Sequence, residues 1–137
     1  MKPVKIGEVS ISSIIERDGP WRAPNVMFPS ATPETLKTAM AQVPDFAYDR
    51  AKDLLVITYQ TFVLKTPCAT VLIDTCVGEH QRRPAPLLFD KTPWLNGFQQ
   101  HGLKFEDIDY VFCTHLHVDH VGWNTCMMDG RLKPTFP

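Results

Sequence analysis

Three of the five histidines in the chain fall within six residues. They are His115, His117 and His120, and Asp119 lies between the last two. In extended backbone, residues 115, 117 and 119 project to one side, so His115 and His117 can converge on one cation. His120 breaks this alternation and, with Asp119, can face a second position close by. Imidazole nitrogen and carboxylate oxygen suit zinc, and also iron or manganese, so the spacing predicts a metal site for one or two ions.

A structural explanation competes with this prediction at each histidine. His80 and His101 stand alone in the sequence, and single histidines are usually surface residues or hydrogen-bonded core residues. The cluster at 115–120 differs, because four adjacent ligand-type groups would desolvate or repel one another without a cation. We therefore expect zinc or iron in the purified protein and its loss in His117→Ala.

Composition excludes several other classes of function. The 137 residues carry 14 basic and 15 acidic side chains, interspersed, and Arg82-Arg83 is the densest basic spot; this predicts no nucleic-acid partner and no membrane partner. Gly7 and Glu8 interrupt the basic N-terminus before an apolar run of signal-peptide length develops, and no later run reaches about 18 apolar residues, so we expect neither a signal peptide nor a membrane span. The four cysteines form no C-x-x-C pair, which favours reduced thiols and a cytoplasmic location. The length predicts one domain over residues 1–137.

Several β-strands are predicted ahead of the histidine cluster. Residues 4–16 alternate apolar and polar side chains around Gly7, which predicts a hairpin. Residues 54–64 and 69–73 are rich in β-branched and aromatic residues, and Lys65-Thr66-Pro67 separates them. We expect two adjacent strands there, at least one of them central.

Two helices are signalled by a threonine followed by proline. Thr32-Pro33 predicts an N-cap and first turn, and Pro44 ends the helical spacing. Thr92-Pro93 predicts a second start, with Trp94, Leu95 and Phe98 on one face and Gly102 past the end.

The remaining segments are a proline-rich loop and a strand. Residues 18–30 hold one glycine at 19 and prolines at 20, 24 and 29, which predicts a loop whose apolar side chains pack and line a pocket. Residues 108–113 form a near-continuous apolar run, typical of a strand buried on both faces, and this strand leads directly to Thr114 and the cluster.

The motif and its surroundings resemble the metallo-β-lactamase superfamily. The similar residues are Asp107 to Gly122, with Leu72-Ile73-Asp74-Thr75 upstream, and the order of elements matches from about Ile6 to Asn124. Thr-His-Leu-His-Val-Asp-His is more similar to the lactonases and related esterases than to the β-lactamases proper. The resemblance implies an α+β fold, an αβ/βα sandwich of which this chain supplies the N-terminal half, a mixed β-sheet flanked by helices.

The resemblance also implies roles for individual residues. His115 and His117 would ligate the first metal, and Asp119 and His120 the second, with two zinc ions in a complete site. Asp74 would orient a ligand histidine through a hydrogen bond. Hydroxide on the metals would attack an ester or lactone carbonyl of a small-molecule substrate, with Asp119 as the catalytic residue that orients it and passes a proton to the leaving alkoxide.

Two positions depart from the family pattern. Cys76 stands where the family commonly has glycine in Asp-Thr-Gly; it is either a buried structural thiol or a group near the metals. Trp123 stands where the lactonases have the second glycine of Gly-Gly-Asn. It either shapes the substrate pocket or belongs to the core.

The family draws further ligands from segments downstream of the motif. After His120 this chain has 17 residues with no histidine and one acid, Asp129, whereas a catalytic zinc normally has three protein ligands. We therefore expect a fragment of a longer enzyme or a truncated product. The alternative is an inactive half-fold that binds metal weakly or self-associates, as a homodimer, through its exposed sheet.

Overall fold

The computed structural model describes residues 2–78 and 92–137. The chain divides into two compact units, Met1–Arg17 with Tyr59–Pro137, and Asp18–Thr58. The single domain expected over residues 1–137 stays a prediction. His80, Arg82-Arg83 and Lys91 lie outside the described residues. The side chain of Thr92, the predicted N-cap of the second helix, also lies outside them.

Strands make up most of the regular structure. The described residues contain ten strands: β1 (Val4–Ile6), β2 (Val9–Arg17), β3 (Pro20–Arg22), β4 (Tyr48–Asp49), β5 (Leu54–Val56), β6 (Tyr59–Lys65), β7 (Thr70–Ile73), β8 (Tyr110–Phe112), β9 (Thr125–Met128) and β10 (Arg131–Pro134). The same ranges contain three α-helices: α1 (Pro24–Met27), α2 (Pro33–Gln42) and α3 (Thr92–Gln100). None of these helices is long and apolar enough to cross a bilayer.

A five-stranded mixed sheet organises the first unit. Its strand order is β1-β2-β6-β7-β8, and β9 and β10 form a separate antiparallel pair. All neighbours in the large sheet are antiparallel except β7 and β8, which are parallel. The predicted hairpin around Gly7 is confirmed, because Ile6 pairs with Val9 across the turn and Gly7 has φ of +60°. A mixed sheet in an α+β fold is therefore present, as the family resemblance implied.

The apolar run 54–64 is divided between the two units. Its first part is β5, which pairs with β3 and β4, and its second part is β6 in the large sheet. The prediction of one continuous strand was wrong because the backbone of Ile57 leaves the ladder. Its N–H donates to Gly19 O and its carbonyl accepts from the Trp21 indole. The predicted pairing of β6 with the strand at 69–73 is confirmed.

Strand β8 differs most from its prediction. Among the strands of residues 2–78 and 92–137 it pairs with β7 alone and so lies at the edge of the sheet. Alternation turns Tyr110 and Phe112 to one face, where they are 66% and 60% exposed, while Val111 packs against the core on the other. The prediction of a strand buried on both faces was wrong, because a continuous apolar run does not reveal strand order.

Helix α3 supplies the centre of the core. Trp94 and Phe98 stack on one another and are buried, as the helical spacing predicted. The Trp94 indole N–H donates to Thr61 Oγ1 at 2.9 Å. The other buried apolar members of this cluster are Ile14, Val63, Leu72, Cys76, Leu103, Ile108, Trp123 and Phe136.

The second unit contains α1, α2 and the sheet β3-β5-β4. The predicted start of α2 is confirmed, because Thr32 Oγ1 accepts from Thr35 N and Pro33 begins the helix. The predicted loop at 18–30 instead contains β3 and α1. A cavity of about 610 Å³ in this unit is lined partly by Pro24 and Asn25, whereas residues 26–28 are exposed instead of packed.

Candidate metal centre

Two loops meet at the carboxyl ends of β7 and β8. Because these strands are parallel neighbours, the segments that follow them leave the same edge of the sheet. Thr75 N donates to His120 O at 2.8 Å, and Trp123 N donates to Thr75 O at 2.9 Å. Gly122 N donates to Cys76 O at 2.8 Å. These bonds tie the turn that begins at Asp74 to the loop that carries the histidines.

The two loops also approach each other at a pair of glycines. A Cβ built on Gly122 would overlap the backbone carbonyl of Val77, and a Cβ on Gly78 would overlap the backbone of Gly122. Gly78 additionally has φ of +72°, in the region that favours glycine. The junction therefore requires glycine at both positions.

Cys76 takes a glycine-like backbone conformation within this turn. Its φ is +50°, and that of Asp74 is +57°. The Cys76 side chain is buried, with Sγ 3.4 Å from Thr61 Oγ1. Burial, with the nearby Glu16 carboxylate, raises the pKa of the Cys76 thiol. These features match the structural-thiol interpretation of Cys76, and they show that the turn keeps a left-handed residue where the family commonly has glycine.

Asp74 is the hydrogen-bond acceptor at the centre of the junction. Its Oδ1 accepts from Thr114 N at 2.8 Å, and its Oδ2 accepts from His120 Nδ1 at 2.8 Å. The Thr114 hydroxyl lies 3.0 Å from Oδ1 and 2.9 Å from Oδ2. Burial opposes ionisation of the carboxyl, but the bonds from His120 and Thr114 outweigh it and hold the Asp74 pKa below its ordinary value. Asp74 therefore holds one histidine of the predicted cluster directly.

The three histidines of the motif lie together. The ring centroids of His115 and His120 are 3.9 Å apart, and those of His115 and His117 are 4.6 Å apart. A turn brings them together, with His120 N donating to His117 O at 3.0 Å. The segment therefore does not have the extended backbone from which the clustering was predicted. Asp119 Oδ2 is 3.5 Å from His120 Nε2.

The chemistry of this donor set fits a divalent metal ion. Asp74 occupies His120 Nδ1, so Nε2 is the ring nitrogen left to bind a cation, and Asp119 lies on that side. Imidazoles beside a carboxylate are ligands that zinc prefers. Within residues 2–78 and 92–137, however, no three His, Cys, Asp or Glu side chains are already arranged to hold an ion. The assignment of His115, His117, Asp119 and His120 as ligands stays a prediction.

Glu16 is a buried acid at the junction that the sequence analysis missed. It is 2% exposed, and its carboxylate accepts from Val77 N at 2.9 Å, Gly78 N at 3.2 Å and Trp123 Nε1 at 2.9 Å. It follows Ile14 at the alternate, inward-facing position of β2. The signal in the sequence was an acid at an inward-facing position of an apolar strand. A carboxylate buried there needs hydrogen-bond donors around it.

The remaining predicted residues have structural surroundings. Trp123 is 1% exposed and stacks on Trp94 with centroids 4.5 Å apart, which matches the core alternative. Asn124 Oδ1 accepts from Thr75 Oγ1 at 2.7 Å. His101 Nδ1 lies 2.7 Å from Gly97 O, as expected for a hydrogen-bonded structural histidine.

The sequence of both loops matches a known protein family. A model described as the metallo-beta-lactamase superfamily matches residues 57–125, which is half of the chain and includes both loops of the junction. The chain therefore belongs to the metallo-beta-lactamase superfamily. A search of curated protein sequences found no match.

Solved structures show the same fold. The hydrolase AbOPH of the beta lactamase superfamily matches with a TM-score of 0.67 and 20% identity, over 98% of this chain and 41% of that one. A probable metal-dependent hydrolase from Staphylococcus aureus matches with a TM-score of 0.61 and 20% identity, over 86% and 41%. AidC, a dizinc quorum-quenching lactonase, matches with a TM-score of 0.63 and 24% identity, over 88% and 37%. This chain thus spans about two fifths of the length of these proteins.

Proposed function

We propose that the protein is a metal-dependent hydrolase that cleaves ester or lactone bonds. The observation that carries the proposal is the cluster of His115, His117 and His120 at a junction where Asp74 holds His120 through a 2.8 Å hydrogen bond. A carboxylate behind a histidine is the arrangement that orients metal ligands in proteins.

His115 and His117 would hold the first ion, and Asp119 and His120 the second. Zinc suits this donor set, and iron or manganese are alternatives. The chemistry that bound divalent ions supply is polarisation of the carbonyl and acidification of water. His115 and His117 account for two of the three protein ligands that a catalytic zinc usually has.

Asp119 is the proposed proton carrier of the reaction. Its side chain is 29% exposed, so water and substrate can reach its carboxylate. The oxygen of the attacking water forms a bond to the acyl carbon while the carboxylate accepts the water's proton. The acyl–oxygen bond of the ester or lactone breaks, and Asp119 returns the proton to the leaving alkoxide. His120 Nε2 lies 3.5 Å from Asp119 Oδ2, where both atoms would face the same ion.

The preference for esters and lactones is supported by two likenesses. The motif Thr114–His120 resembles that of lactonases and related esterases, and AidC, which is a lactonase, shares the fold.

The test is hydrolysis by the purified whole protein after metal analysis. The substrates are an aryl ester, a γ-lactone, a β-lactam and a phosphodiester. We expect bound zinc, turnover of the first two substrates, and loss of turnover with a chelator and in His117→Ala. His101→Ala is the matched control, because that histidine bonds to its own helix. Turnover that resists chelation, or a preference for the β-lactam or phosphodiester, would contradict the proposal.

A second candidate is favoured by the exposed face of β8. Tyr110 and Phe112 project from an edge strand and are 66% and 60% exposed, and such a patch favours self-association. In this alternative the chain forms a homodimer through the sheet and binds metal only weakly. Light scattering combined with the esterase assay separates the two candidates. A monodisperse monomer with steady turnover counts against the alternative, and an inactive dimer that Phe112→Ser dissociates favours it.

The cytoplasmic location is also a proposal. It is supported by the cysteines, all four of which are free, because reduced thiols are typical of that compartment. Fractionation of the producing cells tests it.

A further inference from the structure

The hydroxyl of Thr114 lies between Asp74 and two histidines. Thr114 Oγ1 is 2.9 Å from Asp74 Oδ2 and 3.0 Å from Oδ1. It is also 3.1 Å from His115 Nδ1 and 3.4 Å from His120 Nδ1. One hydroxyl therefore contacts an acid and two of the four predicted ligand residues.

The direction of each hydrogen bond follows from the number of protons available. A hydroxyl has one proton and two lone pairs, and a carboxylate can only accept. The Thr114 proton therefore points to Asp74, because a charged acceptor forms the stronger bond. The lone pairs of the Thr114 oxygen then face His115 Nδ1. A hydrogen bond forms between these two atoms only if His115 Nδ1 carries a proton and donates it. His120 Nδ1 makes its shorter contact, 2.8 Å, with Asp74 directly.

We propose that Thr114 is a positioning residue whose hydroxyl connects His115 to Asp74 and fixes His115 as the Nδ1–H tautomer. Asp74 thus sets the tautomers of two histidines, His120 by direct contact and His115 through Thr114. In both rings the unprotonated nitrogen is Nε2. The use of these nitrogens as metal ligands rests on the proposed function, whereas the tautomer of His115 does not.

The hydroxyl can be removed without disturbing the backbone that presents it. Thr114 N donates to Asp74 Oδ1 at 2.8 Å, and Asp74 N donates to Phe112 O at 2.9 Å. Both bonds survive in Thr114→Val, which has nearly the same shape as threonine. Thr114→Ala removes the hydroxyl with less side chain and serves as a second variant. Thr114→Ser keeps the hydroxyl and serves as the rescue.

The experiment is nitrogen-15 NMR of the imidazole rings in the metal-free whole protein at about pH 8.5, above the ordinary histidine pKa of about 6.5. We expect His115 to be mainly the Nδ1–H tautomer in the wild type and in Thr114→Ser. In Thr114→Val and Thr114→Ala this preference is lost. His120 stays Nδ1–H in every variant, because Asp74 holds it directly, and this provides an internal control. Thr135→Val, a threonine change away from the cluster, leaves both tautomers unchanged.

A zinc competition titration on the same proteins gives the second measurement. We expect zinc affinity to fall about 10-fold in Thr114→Val and to recover in Thr114→Ser. The proposal is overturned if His115 is the Nε2–H tautomer in the wild type. It is also overturned if His115 in Thr114→Val keeps the tautomer that it has in the wild type. If the His115 tautomer changes in Thr114→Val but neither the wild type nor any variant binds zinc, the role of Thr114 is supported and the proposed function fails.

Discussion

Gly78 and Gly122 lie backbone against backbone where the loops after β7 and β8 meet, and neither leaves room for a Cβ. We expect Gly122→Ala to lower the free energy of unfolding by about 3 kcal/mol, because the methyl group would overlap the Val77 carbonyl and force the loops apart. Urea denaturation measures this loss.

Gly130→Ala is the control for that substitution. A Cβ on Gly130 meets nothing within 4 Å, although its φ of +73° is unfavourable for alanine. It should cost only about 1 kcal/mol. Equal losses of unfolding free energy in Gly122→Ala and Gly130→Ala would show that overlap between the loops does not cause the loss in Gly122→Ala.

The buried Glu16 carboxylate should be a major source of stability at the same junction. Glu16→Ala leaves Val77 N, Gly78 N and the Trp123 indole without this acceptor. We expect a loss of about 3 kcal/mol in thermal or urea unfolding, since each unsatisfied buried donor costs about 1 kcal/mol or more.

Trp123→Phe isolates one of these three bonds. It removes the indole N–H and keeps an aromatic ring against Trp94, and we expect it to cost about 1 kcal/mol. In a double-mutant cycle, Glu16→Ala and Trp123→Phe should show coupling, because they share the 2.9 Å bond. Simple additivity of the two losses would contradict a working bond between them.

That the three histidine rings lie together could be predicted from the sequence because these residues are close in the chain. His115, His117, Asp119 and His120 lie within six residues, so any compact backbone keeps them close. The helix starts near Thr32-Pro33 and Thr92-Pro93 and the hairpin around Gly7 also depend on local chemistry, which a sequence displays directly. What brings the imidazole rings together is nevertheless a turn, and the extended backbone assumed for the segment was wrong.

Relationships between distant segments could not be predicted in the same way. Glu16 and Trp123 are 107 positions apart in the chain, and nothing local to either residue indicates its partner. The exposure of Tyr110 and Phe112 depends on the position of β8 at the sheet edge, which is a property of strand order. Likewise, the division of residues 54–64 depends on which sheet each part joins.

The lowered pKa of Asp74 predicts how the stability of the fold depends on pH. Its pKa is lowered in the folded state by the hydrogen bonds of His120 and Thr114, which outweigh burial. A carboxyl with a lowered folded pKa contributes stability that is present above its unfolded pKa, about 3.9, and is lost as pH falls through the folded value. We expect Asp74→Asn to be destabilising at pH 7 and the difference from wild type to shrink below about pH 4.

Urea midpoints measured between about pH 7 and pH 3 test this dependence. Asp129→Asn is the control, since that carboxylate pairs with Lys133 at the surface and exposed pairs contribute little. A difference between Asp74→Asn and wild type that stays constant down to about pH 3 would show that the Asp74 carboxylate does not gain stability from its partners.

Removal of the hydroxyl should destabilise the protein at Thr61 but not at Thr135, although both side chains are buried. Thr61 Oγ1 accepts from the Trp94 indole at 2.9 Å, so Thr61→Val leaves that buried donor unsatisfied and should cost about 2 kcal/mol. Thr135 Oγ1 is buried and has no hydrogen-bond partner among the residues that the structure describes. Thr135→Val therefore exchanges an unsatisfied hydroxyl for a methyl group and should leave stability unchanged or raise it by about 1 kcal/mol. Thermal unfolding of the two variants, which differ from wild type by the same atoms, makes the comparison direct. A loss in Thr135→Val as large as that in Thr61→Val would mean that the Thr135 hydroxyl has a partner in solution.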